Sequence, residues 1–215
     1  MPVSQPNFMQ TLAAARVVGI LRSSTSTAAV EAALAAVRAG LQVLEVTFTT
    51  PGALEALRTL RQQLPEHVRL GAGTVMTAEE GRAALEAGAE FLVSPHLGED
   101  LLALASETGV PYLPGVLTPS EIVRALGLGA QMVKVFPAGS SGGLAYIKDL
   151  LGPLPHLKIL ATGGIRPGEV PAYLQAGVWA VGLGSNLFPK AALERGDWAA
   201  VEAAARQALA EAGVA

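Results

Sequence analysis

Apolar residues occur along the chain in short continuous runs rich in β-branched side chains, separated by longer stretches. Within the runs the apolar residues are consecutive and do not alternate with polar ones. This pattern is typical of parallel strands buried on both faces of a sheet. The predicted strands are VVGIL (17–21), QVLEVTF (42–48), LGAGTV (70–75), EFLVSP (90–95), PYLPGV (111–116), QMVKVFP (131–137), KILATGG (158–164) and WAVGLGS (179–185).

The stretches between these strands are rich in alanine, leucine, glutamate and arginine, as in TAAVEAALAAVRAG (27–40). Their apolar residues recur at helical spacing, which predicts amphipathic helices. Threonine or proline favours the start of a helix, and glycine favours its end. The boundaries expected on this basis are starts at Thr27, Thr77 and Pro167 and ends at Gly40, Gly88, Gly109, Gly129 and Gly177.

The number of strand–helix units decides between two α/β architectures. Fewer units would favour an open doubly wound sheet, whereas eight close a barrel, and the sequence contains eight. A short helix around residues 7–15 precedes them, and a long helix ends the chain. Because no linker or low-complexity segment interrupts the pattern, residues 1–215 are predicted to form a single (β/α)8 TIM barrel domain. In such barrels the active site lies at the carboxyl ends of the strands.

Composition narrows the classes of function. The formal net charge of −3 provides no basic surface for nucleic acid. The chain has no cysteine, which excludes thiolate catalysis and cysteine-based metal sites, and its three histidines show no paired ligand spacing. We therefore expect no metal and no nucleic-acid partner. No apolar run approaches the roughly 18 residues of a membrane span, and the N-terminus lacks the pattern of a secretory signal, so a cytoplasmic location is expected.

Lys134 is the leading candidate for chemistry. It lies in MVKVFP (132–137), whereas Lys148 falls in a predicted helix, Lys158 begins a strand and Lys190 lies near a helix start. An ammonium group inside an apolar strand is costly unless it has a partner or a purpose. Burial favours the neutral, nucleophilic form of an amine. The alternative is a structural lysine that pairs with a carboxylate inside the barrel.

Glu45 has the same character, because it lies between apolar neighbours in the second predicted strand. Glu45 and Thr47 share one face of that strand, and in a barrel one face points inward. A buried carboxylate beside an amine can move protons. The alternative is that Glu45 only neutralises Lys134, and both interpretations require the two side chains to meet.

Polar residues at other strand ends suggest substrate contacts. Arg22 ends the first strand, where a guanidinium suits a carboxylate or phosphate, although it would also suit a solvated surface. Thr74 follows two glycines that allow a ligand to approach the backbone. The glycine-rich loops TGG (162–164) and GLGS (182–185) end the seventh and eighth strands, where barrel enzymes frequently bind phosphate. Either loop alone would also be explained as a tight turn.

Taken in order, these segments resemble the 2-keto-3-deoxy-6-phosphogluconate (KDPG) aldolase family, which includes 4-hydroxy-2-oxoglutarate (KHG) aldolase activity. The resemblance covers nearly the whole chain, and the combination of LEVT, GAGTV and KVFPA is specific. The matching segments are GILR (19–22), AGLQVLEVTFTTPGALEAL (39–57), GAGTV (71–75), SP (94–95), PG (114–115), KVFPA (134–138), ATGGI (161–165) and GLGSNLF (182–188).

The resemblance implies a cofactor-free, homotrimeric class I aldolase that cleaves KDPG to pyruvate and glyceraldehyde 3-phosphate, and also KHG to pyruvate and glyoxylate. It implies a Schiff base on Lys134 and general acid–base action by Glu45. Thr74 would contact the pyruvate carboxylate and Phe136 the pyruvyl group, and the two glycine-rich loops would hold the phosphate. The implied substrate-binding residues are Arg22, Thr47, Thr74, Pro95, Phe136, Thr162, Gly163, Gly164, Gly184 and Ser185.

One departure from the family pattern concerns the substrate carboxylate. Many members carry an arginine in the segment after LEVT, where this chain has Phe48-Thr49-Thr50. We expect Arg22 to supply the missing charge. Thr162 favours the gluconate branch over the related galactonate aldolases, which are apolar at that position.

The remaining alternatives are a galactonate aldolase, another phosphate-binding barrel such as an epimerase or a thiamine phosphate synthase, and a non-catalytic barrel that binds sugar phosphates.

Overall fold

The computed structural model describes residues 5–214 and contains every predicted strand and helix in the predicted order. The strands are β1 (Val17–Leu21), β2 (Val43–Thr47), β3 (Arg69–Gly73), β4 (Phe91–Val93), β5 (Tyr112–Leu113), β6 (Gly115–Val116), β7 (Val133–Val135), β8 (Ile159–Thr162) and β9 (Ala180–Leu183). The helices are α1 (Gln5–Ala15), α2 (Ser26–Arg38), α3 (Ala53–Gln63), α4 (Ala78–Glu86), α5 (Glu99–Thr108), α6 (Pro119–Gly127), α7 (Gly143–Leu151), α8 (Val170–Gln175), α9 (Lys190–Arg195) and α10 (Trp198–Glu211).

All strand pairs are parallel, in the order β5-β4-β3-β2-β1-β9-β8-β7-β6. The two outermost strands are halves of one predicted strand, 111–116, which Pro114 divides because its nitrogen has no hydrogen to donate. The first half pairs with β4 and the second with β7. The Pro114 carbonyl accepts a hydrogen bond from the Lys134 backbone N–H (2.8 Å). The predicted (β/α)8 barrel is therefore confirmed, with its fifth strand split in two.

The predicted helix boundaries are mostly confirmed. The five glycines predicted to end helices all have positive φ, and Thr77 caps α4 by accepting a hydrogen bond from the Glu80 N–H (3.2 Å). The expected start at Thr27 is wrong. Thr25 is the cap, accepting from the Ala28 N–H (3.1 Å), so the helix begins two residues earlier than its apolar pattern suggested. Pro167 begins a short 3-10 turn ahead of α8.

Two separate apolar clusters hold the barrel together. The larger lies between the strands and the surrounding helices, and the smaller fills the interior at the amino-terminal ends of the strands. Helix α1 closes that end, where the Phe8 ring packs against Phe91 with centroids 4.7 Å apart. Gly71 makes room for this pair, because a Cβ atom there would lie 2.4 Å from the Phe91 ring.

The barrel interior changes from apolar to polar along the strands. The apolar cluster includes Val43, Met132 and Leu160. Two residues further along the same three strands come Glu45, Lys134 and Thr162, all buried. Since side chains alternate along a strand, residues two positions apart share the inward face. A single polar layer thus lies above the apolar cluster, towards the carboxyl ends of the strands.

Candidate active site

A cavity of about 390 Å³ opens above this polar layer. It lies where the carboxyl ends of β1, β3, β7, β8 and β9 meet. Most of the residues predicted for the site line it, and Glu45 and Thr47 lie behind the lining. The lining residues are Ile20, Arg22, Thr74, Pro95, Lys134, Phe136, Thr162, Gly163, Gly164, Ile165, Arg166, Gly182, Gly184, Ser185 and Asn186.

A lysine and a glutamate meet at the floor of this cavity. Lys134 Nζ lies 4.0 Å from Glu45 Oε1, and the two residues are 5% and 1% exposed. Within residues 5–214 neither carboxylate oxygen of Glu45 has a hydrogen-bond partner. Burial raises the pKa of Glu45, and the positive charges of Lys134 and Arg22 oppose that rise. A carboxyl group with a raised pKa keeps its proton to higher pH than an ordinary glutamate does, which suits a group that gives and takes protons.

Glycine on the neighbouring strand makes the position of Glu45 possible. A Cβ atom at Gly73 would lie 2.3 Å from Glu45 Oε1, so only glycine leaves this space to the carboxylate. On the other side of the barrel, Lys134 Nζ lies 5.3 Å from the centroid of the Phe136 ring, within the range of a cation–π contact. Phe136 is 37% exposed, so one face of this ring stands at the cavity mouth.

At the cavity mouth, two threonine hydroxyl groups link the chain after β1 to the end of β2. Arg22 Nε donates to Thr49 Oγ1 (3.2 Å), and that oxygen lies 2.9 Å from the hydroxyl of the buried Thr47. Thr49 therefore holds the exposed guanidinium of Arg22 in place beside the cavity. Thr74 has a φ of 56°, in the left-handed region that residues with a Cβ rarely adopt. Such backbone strain is concentrated at functional sites.

The loops after β7 and β8 pack closely together. Gly139 N–H donates to the Gly163 carbonyl (2.7 Å), and a Cβ atom at residue 139 would lie 2.6 Å from the Gly164 carbonyl oxygen. Gly163 and Gly164 both have positive φ. Below them, the buried Thr162 hydroxyl has no hydrogen-bond partner among the described residues. These features give the cavity one wall made of backbone and hydroxyl groups.

Sequence reasoning missed several residues of the lining. The most important is Arg166, which stands two residues after the Gly163-Gly164 pair and brings a third cation to the cavity after Arg22 and Lys134. A cation directly behind a glycine-rich loop was the signal that could have identified it. Asn186 beside Ser185 was missed in the same way. Across residues 5–214, metal-ligating side chains nowhere gather in groups of three or more, and no helix there is long and apolar enough to cross a membrane.

The fold and the site define a class of protein, the (β/α)8 barrel enzymes that place a buried amine and a carboxyl group beneath a cavity at the carboxyl ends of the strands. The family model described as "KDPG and KHG aldolase" matches residues 8–204. The chain belongs to this family, and it is an aldolase, a carbon–carbon lyase. The resemblance found in the sequence is confirmed.

Individual relatives agree with this assignment. A 2-dehydro-3-deoxy-phosphogluconate aldolase of Pseudomonas aeruginosa is 43% identical, with 79% of this chain and 77% of that protein aligned. A KHG/KDPG aldolase of Escherichia coli K12 is 39% identical, with 84% of each aligned. The crystal structure of the Legionella pneumophila KDPG aldolase holds pyruvate as a covalent carbinolamine intermediate. Its TM-score is 0.87 at 33% identity, covering 95% of this chain and 98% of that one.

A thiamine phosphate pyrophosphorylase from Pyrococcus furiosus shares only the fold, with a TM-score of 0.69 and 18% identity over 94% of this chain and 98% of that one. Likeness at that level carries no functional argument. The alternative of a thiamine phosphate synthase therefore gains nothing from it.

Proposed function

We propose that this aldolase cleaves KDPG to pyruvate and glyceraldehyde 3-phosphate through a Schiff base on Lys134, with Glu45 as the general acid and base. The observation that carries the proposal is the pair itself. An amine and a carboxyl group lie 4.0 Å apart in the barrel interior, and the carboxylate oxygens have no hydrogen-bond partner in the described chain. A purely structural ion pair would satisfy its oxygens, because an unpaired buried carboxylate is destabilising.

The pair can carry out each proton transfer that the reaction needs. Neutral Lys134 adds to the C2 ketone, and protonated Glu45 gives its proton to the hydroxyl group that leaves as water. The resulting carboxylate takes the proton of the C4 hydroxyl, directly or through a water molecule. The C3–C4 bond then breaks, its electron pair moves into the iminium to give an enamine, and the aldehyde departs. Glu45 returns the proton to C3, and hydrolysis releases pyruvate and restores the free amine.

The cavity lining supports an orientation of the substrate. We place the C1 carboxylate at Arg22 and Thr74, which line the cavity at the carboxyl ends of β1 and β3. The pyruvyl group packs against Phe136 and Pro95. The phosphate lies at the wall formed by the ends of β8 and β9, where backbone amides and hydroxyl groups suit an anion. That wall consists of Thr162, Gly163, Gly164, Gly184 and Ser185.

The hydroxyl bridge at the rim supports Arg22 as the carboxylate-binding residue. Many family members have an arginine in the segment after β2, and in this chain Thr49 of that segment holds Arg22 by accepting from Nε (3.2 Å). The same contact leaves the terminal nitrogens of the guanidinium free for a carboxylate. Thr47 supports the bridge from below and is a positioning residue in this proposal.

Three further expectations stay predictions. KHG is the second proposed substrate, because its distal carboxylate fits the same anion-binding wall at shorter reach. A homotrimer is proposed from the family resemblance alone. A cytoplasmic location is likewise a prediction, and the small keto-acid substrates of the family are its only expected partners.

Borohydride trapping with pyruvate tests the mechanism. A reduced pyruvyl adduct found by intact mass and peptide mapping on Lys134 is the expected result, and K158R is the matched control because that lysine lies outside the cavity. Glu45→Gln should slow turnover by about 10²–10⁴-fold. If the reduced pyruvyl adduct still forms in K134R, or is found on several lysines, the assignment of the Schiff base to Lys134 is wrong. Full activity of E45Q would show that Glu45 is only a structural counter-ion of Lys134.

A further inference from the structure

The cavity carries an uneven distribution of charge. Its described lining contains Arg22, Lys134 and Arg166, and it contains no aspartate or glutamate. Under the proposed function Lys134 reacts with the ketone and Arg22 binds the C1 carboxylate. The substrate has a second anionic group, a phosphate with a charge of about −1.5 to −2 at neutral pH. Arg166 is the one cation of this lining that the proposed mechanism does not use.

Arg166 stands where it can reach that phosphate. It follows the Gly163-Gly164 pair by two residues, and its side chain is 79% exposed at the cavity rim. In the sheet, β9 lies between β1 and β8, so Ser185 is flanked by Arg22 on one side and Arg166 on the other. Arg166 therefore borders the wall assigned to the phosphate on the β8 side, whereas the proposed function already assigns Arg22 to the carboxylate.

The present partner of Arg166 is a carboxylate on the same turn. Arg166 Nη2 donates to Glu169 Oε1 (3.0 Å), while Glu169 Oε2 accepts from the Arg166 backbone N–H (2.8 Å). These bonds hold the pKa of Glu169 below its ordinary value, so the carboxylate stays ionised at neutral pH. The ion pair is exposed to solvent and contributes little to stability. A phosphate, with more charge and two acceptor oxygens for the guanidinium fork, can displace this carboxylate.

We propose that Arg166 is a specificity-determining residue that exchanges Glu169 for the substrate phosphate, so that the enzyme favours phosphorylated 2-keto acids over unphosphorylated ones. The inference rests on the proposed function and deepens it. Glu169 acts here as an internal competitor, because it occupies the guanidinium whenever the phosphate is absent.

Two variants test this exchange against a matched control. Arg166→Ala should lower kcat/KM for KDPG by about tenfold to a hundredfold, mainly through KM. It should affect KHG much less, because the shorter KHG chain keeps its distal carboxylate further from the exposed Arg166 side chain at the rim. Glu169→Gln should lower KM for KDPG, because the amide oxygen still accepts from the Arg166 N–H while the competing charge is gone. The control is Arg206→Ala, which removes an exposed arginine paired with Glu202 on α10. This variant should leave kcat and KM unchanged for both substrates.

Equal losses on both substrates in R166A, or a higher KM for KDPG in E169Q, would overturn the proposal. Pyruvate trapping on the wild-type chain separates this from failure of the proposed function, since pyruvate has no phosphate. If the adduct forms on Lys134 but KM for KDPG is unchanged in R166A, the proposed role of Arg166 is wrong and the Schiff-base mechanism stands. Absence of the adduct refutes the Schiff-base mechanism on which it rests.

Discussion

Gly73→Ala is expected to disable the enzyme through one added methyl group. Gly73 is not among the glycines with positive φ, so alanine fits its backbone conformation. The new Cβ atom, however, would lie 2.3 Å from Glu45 Oε1 and 2.5 Å from its carboxyl carbon, whereas ordinary contacts begin at 3.4 Å. The carboxylate must therefore move by about 1 Å, a misplacement that can cost about 100-fold in rate. Overpacking of this kind costs about 1–3 kcal/mol of stability.

The assay combines steady-state cleavage of KDPG with urea unfolding and pyruvate trapping. Gly127→Ala is the matched control, because a Cβ atom there, at the end of α6, meets nothing within 4 Å. A double-mutant cycle with Glu45→Asp identifies the cause: the shorter side chain leaves room for the new methyl group, so G73A should cost far less in that background. A folded G73A variant with near wild-type kcat would refute the steric reasoning, and so would full additivity in the cycle.

Four further predictions concern pH, the closed end of the barrel and helix capping. Because burial raises the pKa of Glu45, the limb of the kcat/KM profile that reports this group should lie above the range of an ordinary carboxyl group and disappear in E45Q; a limb at the usual glutamate value would contradict this. The same shift affects stability: between the unfolded-state and folded-state pKa of Glu45, the folded chain binds more protons than the unfolded chain, so wild type loses stability as pH rises through that interval. Because E45Q lacks this titrating group, its free energy of unfolding, measured in urea, should rise relative to that of wild type over the same interval. Phe8→Ala removes the ring packed on Phe91 and should cost about 3–5 kcal/mol in the same assay, unless α1 contributes nothing to the fold. Thr118→Ala breaks the capping box that α6 makes with Glu121 and should cost about 1 kcal/mol while leaving pyruvate trapping unchanged.

The sequence predicted those features that depend on local chemistry. Continuous apolar runs identify strands buried on both faces, and the isolated charges of Glu45 and Lys134 within such runs place them inside the barrel. The error at Thr27 arose because Thr25 and Thr27 can both cap a helix, and the choice depends on how the chain leaves β1. The split at Pro114 depends on the chain at the end of β4, since Gly115 N–H bonds to the His96 carbonyl (3.0 Å).

Other features of the site depend on distances between strands that sequence spacing does not contain. Gly73 matters because its missing side chain leaves space for Glu45 on the neighbouring strand. Arg166 was overlooked because an arginine beside a loop is usually solvated, and only the closed barrel shows that this loop borders the cavity. Residue types indicated the chemistry of the site, and the three-dimensional packing determined which residues surround it.

The apolar cluster under α1 also affects the order of events in a catalytic cycle. With the amino-terminal end of the barrel sealed by Phe8 and its neighbours, reactants and products share one entrance at the opposite end. In the proposed orientation the pyruvyl half is tethered at the floor and the aldehyde half lies nearer the opening. The aldehyde should therefore leave first and pyruvate last, and in the synthetic direction pyruvate should bind first. Pyruvate would then inhibit cleavage competitively, and the aldehyde would do so noncompetitively.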